Sequence, residues 1–228
     1  MQFMNTNKKY MEKYKKLDFK ITSDSLDNII NISENMEGKT FHYHTHILYD
    51  IRTSLGESMI TYFEIGSFAG GSASLISSHK YPTKCFSLDI GYPIPQEIVE
   101  RNVTKFKNPN SFFTYFKGNS QDPELIEYVK KNIKDIDILF IDGDHTRKAV
   151  LSDFYNYSEL VKEGGYIVFD DYLDFEFSPE VKGAVDEIVE KIKGDNYKII
   201  GPIKYDILSK FTSMDHNSLF IIKKCNRI

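Results

Sequence analysis

The chain has 228 residues, 41% hydrophobic and 14% aromatic, which is enough apolar side chain to bury the core of one α/β domain. Its 29 Lys and Arg against 33 Asp and Glu give a net charge of -4, so a large phosphate-backbone partner is disfavoured and no nucleic acid is expected. Two cysteines, Cys85 and Cys225, fit free thiols in a reducing compartment better than a disulfide framework. The first 20 residues lack the apolar segment of a signal peptide, and no run of about 18 apolar residues occurs, so a cytoplasmic protein without a membrane partner is expected.

Residues 1–58 hold an amphipathic stretch at 25–36 and then Phe41-His42-Tyr43-His44-Thr45-His46, and are expected to form a helical cap over a sheet built from the rest of the chain. On a strand, His42, His44 and His46 would share one face, as a transition-metal site requires. With no cysteine or acid cluster beside them in sequence, substrate contact or ordinary packing is the better reading. From 59 to 228 short apolar runs alternate with segments of helical period, the pattern of strands joined by crossover helices. Strands are expected at 60–65, 84–90, 112–117, 137–141 and 166–169, and helices at 72–78, 97–107, 123–132, 147–161 and 179–193. Apolar runs at 197–202 and 218–222 suggest a closing hairpin, and the whole reads as one compact α/β domain with a mostly parallel sheet.

In such sheets ligands sit beyond the carboxyl ends of the strands, where strand order reverses. The first strand ends in Glu64-Ile65-Gly66-Ser67-Phe68-Ala69-Gly70-Gly71, whose glycines permit close backbone approach or simply make a tight turn. Asp89 ends the next strand, where an acid can accept the ribose hydroxyls of a nucleoside cofactor. The Gly-x-Gly-x-x-Gly of dinucleotide binders and the Gly-Lys-Ser/Thr of phosphate loops are both absent from this turn. Further on, Phe140-Ile141-Asp142-Gly143-Asp144-His145 and Tyr166-Ile167-Val168-Phe169-Asp170-Asp171 gather carboxylates and an imidazole at strand ends, which reads as a metal and acid/base site.

From about Met59 onward the chain resembles class I S-adenosylmethionine-dependent methyltransferases, whose first motif is an acid and two glycines at this spacing, followed by a ribose-binding acid. The resemblance implies a Rossmann-like, doubly wound seven-stranded sheet with an antiparallel last strand. It also implies S-adenosylmethionine as cofactor, held by Glu64, Gly66, Ser67, Gly70, Asp89, Asn119, Ser120 and Asp142. Asn119 stands where the family often has an acid, and its amide oxygen can still accept from an adenine amino group.

The two acidic runs are similar to one branch, the metal-dependent O-methyltransferases related to macrocin O-methyltransferase and cephalosporin-hydroxylase-like proteins. That resemblance implies Asp142, Asp170 and Asp171 as ligands of a divalent cation, Mg²⁺ first, and His145 as general base beside Asp142. Asp144 is an alternative ligand or a turn former, and one of Asp170 and Asp171 could instead cap the next turn. The chemistry has need of a cation, because an aliphatic hydroxyl is nearly as weak an acid as water, at a pKa of about 15.7, far above histidine at about 6.5.

The expected function is therefore methyl transfer to a hydroxyl of a small molecule, with a sugar, sugar nucleotide or glycosylated metabolite favoured by the resemblance. A nicotinamide-dependent oxidoreductase is a weaker alternative without its pyrophosphate turn, as is a non-catalytic protein that binds the cofactor or a metal. Whether the chain forms a homo-oligomer stays open.

Overall fold

The computed structural model describes residues 17–39, 42–193, 196–204 and 218–225. The apolar runs form β1 (Ile60–Ile65), β2 (Thr83–Asp89), β3 (Phe112–Lys117), β4 (Ile136–Ile141), β5 (Val161–Phe169), β6 (Tyr197–Lys204) and β7 (Ser218–Lys224). All seven join one sheet in the order β3-β2-β1-β4-β5-β7-β6. β1 pairs in parallel with both β2 and β4, whereas β7 runs antiparallel between β5 and β6. This is the mostly parallel α/β sheet that the sequence pattern predicts, doubly wound and with the antiparallel last strand that the resemblance implies.

Among the described residues seven helices flank it: α1 (Ser23–Asn35), α2 (His46–Ser54), α3 (Gly71–Ser77), α4 (Gln96–Phe106), α5 (Pro123–Asn132), α6 (Arg147–Tyr157) and α7 (Val181–Lys191). Successive strand residues point to opposite faces, and the core divides accordingly. Tyr62, Ile138, Phe140 and Val168 meet Ile47, Ile51, Ala73, Ile76 and Val99 of α2, α3 and α4. Phe63, Leu139, Ile167 and Phe169 meet Ile126, Val150, Phe154, Val185 and Ile188 of α5, α6 and α7. With helices on both sides all six residues of β4 are buried, so its sequence is almost continuously apolar.

The strand and helix positions agree with those expected to within a residue, with three differences. β5 begins at Val161, where the sequence suggested the end of a helix; α6 stops at Tyr157 and a 3₁₀ turn, Ser158–Leu160, turns the chain into the sheet. α7 starts at Val181, two residues later than expected. The closing strands β6 and β7 are each two residues longer than their apolar runs, while the link between them at 205–217 lies outside the described residues.

The histidine segment is not a strand. His42 precedes a 3₁₀ turn, Tyr43–Thr45, and His46 opens α2, so the three imidazoles do not share a strand face. α2 itself is an element that the sequence pattern did not suggest. Its Arg52 is fully buried and donates to the carbonyls of Gly56 at 2.7 Å, Ser58 at 2.9 Å and Pro82 at 3.1 Å, tying α2 to the loops that enter β1 and β2. Asp50 of the same helix accepts from the hydroxyls of Thr22 at 2.7 Å and Ser25 at 2.8 Å, which fixes the start of α1. α1 then packs Leu26, Ile29 and Ile32 against Leu75 of α3. Among the described residues no helix is long and apolar enough to cross a membrane.

Candidate active site

The sheet grows outward in both directions from the β1–β4 pair, so a crevice opens beyond the carboxyl ends of these strands. A cleft of 470 Å³ lies there, of a size usual for small ligands, and is lined by Gly66, Ser67, Asp89, Asn119, Ser120, Asp142 and His145 among others. Its floor depends on glycine. Gly66 has φ of +85°, and a Cβ there would stand 2.0 Å from the Asp142 carbonyl oxygen. The Gly66 N–H donates to the Leu88 carbonyl at 2.8 Å and the Asp142 N–H to the Ile65 carbonyl at 2.9 Å, so the ends of β1, β2 and β4 are stitched together at this point.

Asp89 fixes the turn above that floor. One carboxylate oxygen accepts from the backbone N–H of Ser67 at 2.8 Å and of Phe68 at 3.2 Å, and the other from Gly91 at 2.7 Å. A carboxylate offers roughly four acceptor positions, which leaves room for a further donor from a ligand. Glu64 and Gly70 lie behind the wall. Glu64 is fully buried and accepts from the hydroxyls of Ser72 and Ser87, each at 2.6 Å, and of Tyr62 at 2.7 Å. Burial pushes its carboxyl up to about 7 against the pull of those hydroxyls. Gly70, left-handed at φ +81°, leads into α3 and lies close to Val99 of α4.

At the β4 and β5 ends the expected acids converge in two groups, each with histidine. Asp142, His145 and Asp171 form one, and Asp170 with His42 and His44 forms the other. Asp171 can face the site directly after Asp170 because its φ is +54°, a left-handed conformation rare for a residue with a side chain. Burial and the neighbouring Asp170 charge push the Asp142 carboxyl well up, with His42 opposing. For Asp170 burial acts in the same sense, but the adjacent imidazoles prevail and hold it far below the usual carboxylate range.

His145 is oriented by a relay. Its Nδ1 lies 2.7 Å from the Ser178 hydroxyl, and that hydroxyl donates to Asp171 Oδ2 at 2.8 Å. With its one proton committed to Asp171, Ser178 can only accept from the ring, so Nδ1 carries the hydrogen and, in the neutral ring, Nε2 holds the lone pair. Nε2 lies 3.5 Å from Asp142 Oδ1.

Asp144 accepts from the Thr146 N–H at 2.8 Å and so holds the turn into α6, while also lining the cleft. Asn119 uses its amide oxygen on the Gln121 N–H at 2.9 Å. Sequence reasoning does not single out Ser178, Ser72, Ser87 or Tyr62, small hydroxyls whose roles appear only once the strands are laid side by side. Nor does it join His42 and His44 to the acids, though the spacing of the histidines is visible.

A family model described as a methyltransferase domain matches residues 63–172, from β1 to just past the acidic pair that follows β5. The chain is a class I S-adenosylmethionine-dependent methyltransferase. An uncharacterised protein of Acanthamoeba polyphaga mimivirus is 39% identical to this methyltransferase over 178 residues, 78% of this chain and 79% of the viral one, and the two belong to one family. The fold is shared with the MycE methyltransferase of the mycinamycin biosynthetic pathway, solved with Mg, S-adenosylhomocysteine and mycinamycin VI, at a TM-score of 0.61 and 17% identity over 89% of this chain and 55% of MycE. It is shared also with an O-methyltransferase of Bacillus cereus bound to S-adenosylhomocysteine, at a TM-score of 0.57 and 13% identity over 90% and 92% of the two chains.

Proposed function

We propose that this methyltransferase acts on a hydroxyl of a small molecule, a sugar, sugar nucleotide or glycosylated metabolite, with help from a divalent cation. The observation that carries the reading is the His145 relay, which leaves an imidazole lone pair at the cleft beside Asp142. The residues fit both groups that the reaction needs. The missing Cβ of Gly66 lets β1 and β4 close up against each other, backbone to backbone, as the floor of the cleft, and the Asp89 carboxylate lines the same cleft. Asp142 and Asp171 stand together with His145, and Asp170 stands with His42 and His44 near enough for its charge to act on Asp142, a cost that a cation reduces.

When bound, S-adenosylmethionine supplies the electrophilic methyl and a dication held by these acids supplies Lewis acidity toward the acceptor oxygen. His145 Nε2 takes the hydroxyl proton, while Ser178 and Asp171 hold the ring and favour the imidazolium that forms. The exposed rings of Phe175 and Phe177, on the loop after Asp171, offer faces for the apolar side of a sugar. The complex of MycE with mycinamycin VI supports a small-molecule acceptor for a chain of this fold.

The test is S-adenosylhomocysteine release over a panel of sugars, sugar nucleotides and glycosylated metabolites. His145→Gln should lower turnover by about 10² or more while cofactor binding is retained. Unchanged turnover in that variant would overturn His145 as the base, and cofactor binding with no transfer to any acceptor would favour a non-catalytic binder.

A further inference from the structure

Two histidines from the start of the chain reach the acids at the far end of the sheet without a part in the proposed reaction. The 3₁₀ turn Tyr43–Thr45 sets both against Asp170, 126 residues beyond His44 in sequence. His44 is buried and its Nε2 lies 2.6 Å from Asp170 Oδ1; His42 is half exposed and its Nδ1 lies 3.5 Å from Asp170 Oδ2. Each of the three residues offers one donor, and these donors lie within 4.8 Å of one another. Ligand bonds of about 2.1 Å put neighbouring donors roughly 3.0 to 3.5 Å apart, so an ion fits among these atoms with small side-chain shifts.

A second observation points to a ligand. Asp170 is 2% exposed, yet its Oδ2 meets no donor at normal hydrogen-bond distance, with the His42 ring standing off at 3.5 Å. Buried carboxylate oxygens are normally satisfied more closely than this. We propose that His42, His44 and Asp170 form a site for a first-row transition-metal dication such as Zn²⁺ or Co²⁺. Two imidazoles and one carboxylate favour such ions over Mg²⁺, which prefers oxygen ligands. Three protein donors leave a position for water or an acceptor oxygen on the half-exposed side. The ion clasps the N-terminal turn onto the end of β5, next to Asp171. The site shares Asp170 with the proposed catalytic acids, so Mg²⁺ and a transition dication compete for it, but it does not depend on methyl transfer.

The experiment is calorimetric titration of the metal-stripped full chain with Zn²⁺, Co²⁺ and Mg²⁺ separately, with the Co²⁺ absorption bands followed in parallel. One Zn²⁺ or Co²⁺ should bind per chain, more tightly than Mg²⁺, with visible bands that report nitrogen donors. His42→Ala and His44→Gln should each weaken Zn²⁺ by more than about tenfold. His79→Gln, on a buried imidazole away from the site, should leave the Zn²⁺ affinity unchanged. His42→Ala removes a half-exposed ring, and an unchanged circular dichroism spectrum and urea midpoint will verify its fold. Zn²⁺ binding that is unchanged in both His42→Ala and His44→Gln, or no tighter than Mg²⁺, would overturn the site. Failure of methyl transfer with every metal, alongside intact histidine-dependent Zn²⁺ binding, would strike the proposed function and leave this site standing.

Discussion

Single residues decide how close the strand ends come and what charge they carry. Glu64 illustrates the cost: the hydroxyls of Tyr62, Ser72 and Ser87 reduce the penalty of burial, but the carboxyl still sits at about 7 instead of the ordinary 4.5. The folded state therefore holds a proton that the unfolded chain has lost. Stability is fully present below about pH 4.5 and falls as pH rises to about 7, by an amount on the order of 3 kcal/mol for this group. Asp153, also raised to about 7 by burial, adds to the same slope. Urea unfolding of the cofactor-free protein between pH 5 and 8 should show the loss, and Glu64→Gln should flatten it; an equal slope in that variant would place the titration elsewhere. The acids Glu64, Asp89, Asp142, Asp170 and Asp171 are visible as residues in the sequence because each ends or follows an apolar run. Their hydrogen-bond partners are not, because Ser72, Ser87 and Ser178 are common residue types with no local pattern.

Among the elements, the strands are the most legible. β1, β3 and α5 have the ends that their residue patterns predict, since apolar runs and the Asp122-Pro123 start signal are local. β5 is longer than its apolar run because Val161 already pairs with Ile136 of β4, while Lys162, Glu163, Gly164 and Gly165, which do not resemble a strand, lie in the register shift before Tyr166 pairs with Ile138. α2 escapes notice because buried polar residues, His46, Asp50 and Arg52, interrupt its apolar face. The same residues give it a structural role. Arg52→Ala should leave the carbonyls of Gly56, Ser58 and Pro82 without their donor, at a cost on the order of 3 kcal/mol, read as a lower urea midpoint with an unchanged slope. A midpoint equal to that of the unaltered chain would show that water replaces the guanidinium.

For the whole molecule, the order β3-β2-β1-β4-β5-β7-β6 puts the reversal point at β1 and β4 and so brings the glycine turn, Asp89 and the run from Asp142 to His145 to one crevice, with Asp171 joined to it beside His145. The doubly wound arrangement is readable from the alternation of elements, and the location of the crevice follows from it. The contact between the N-terminal histidines and Asp170 is not, because it joins segments 126 residues apart that no short-range pattern connects. The central claim is that this crevice binds the sulfonium cofactor through the glycine floor and the Asp89 turn. It is tested most directly by calorimetric titration of the protein and of Asp89→Ala with S-adenosylmethionine, S-adenosylhomocysteine and NAD. Binding of both sulfur compounds but not NAD, weakened in Asp89→Ala with the fold retained, is the predicted result; binding of NAD alone, or sulfur-compound binding indifferent to Asp89→Ala, would contradict it.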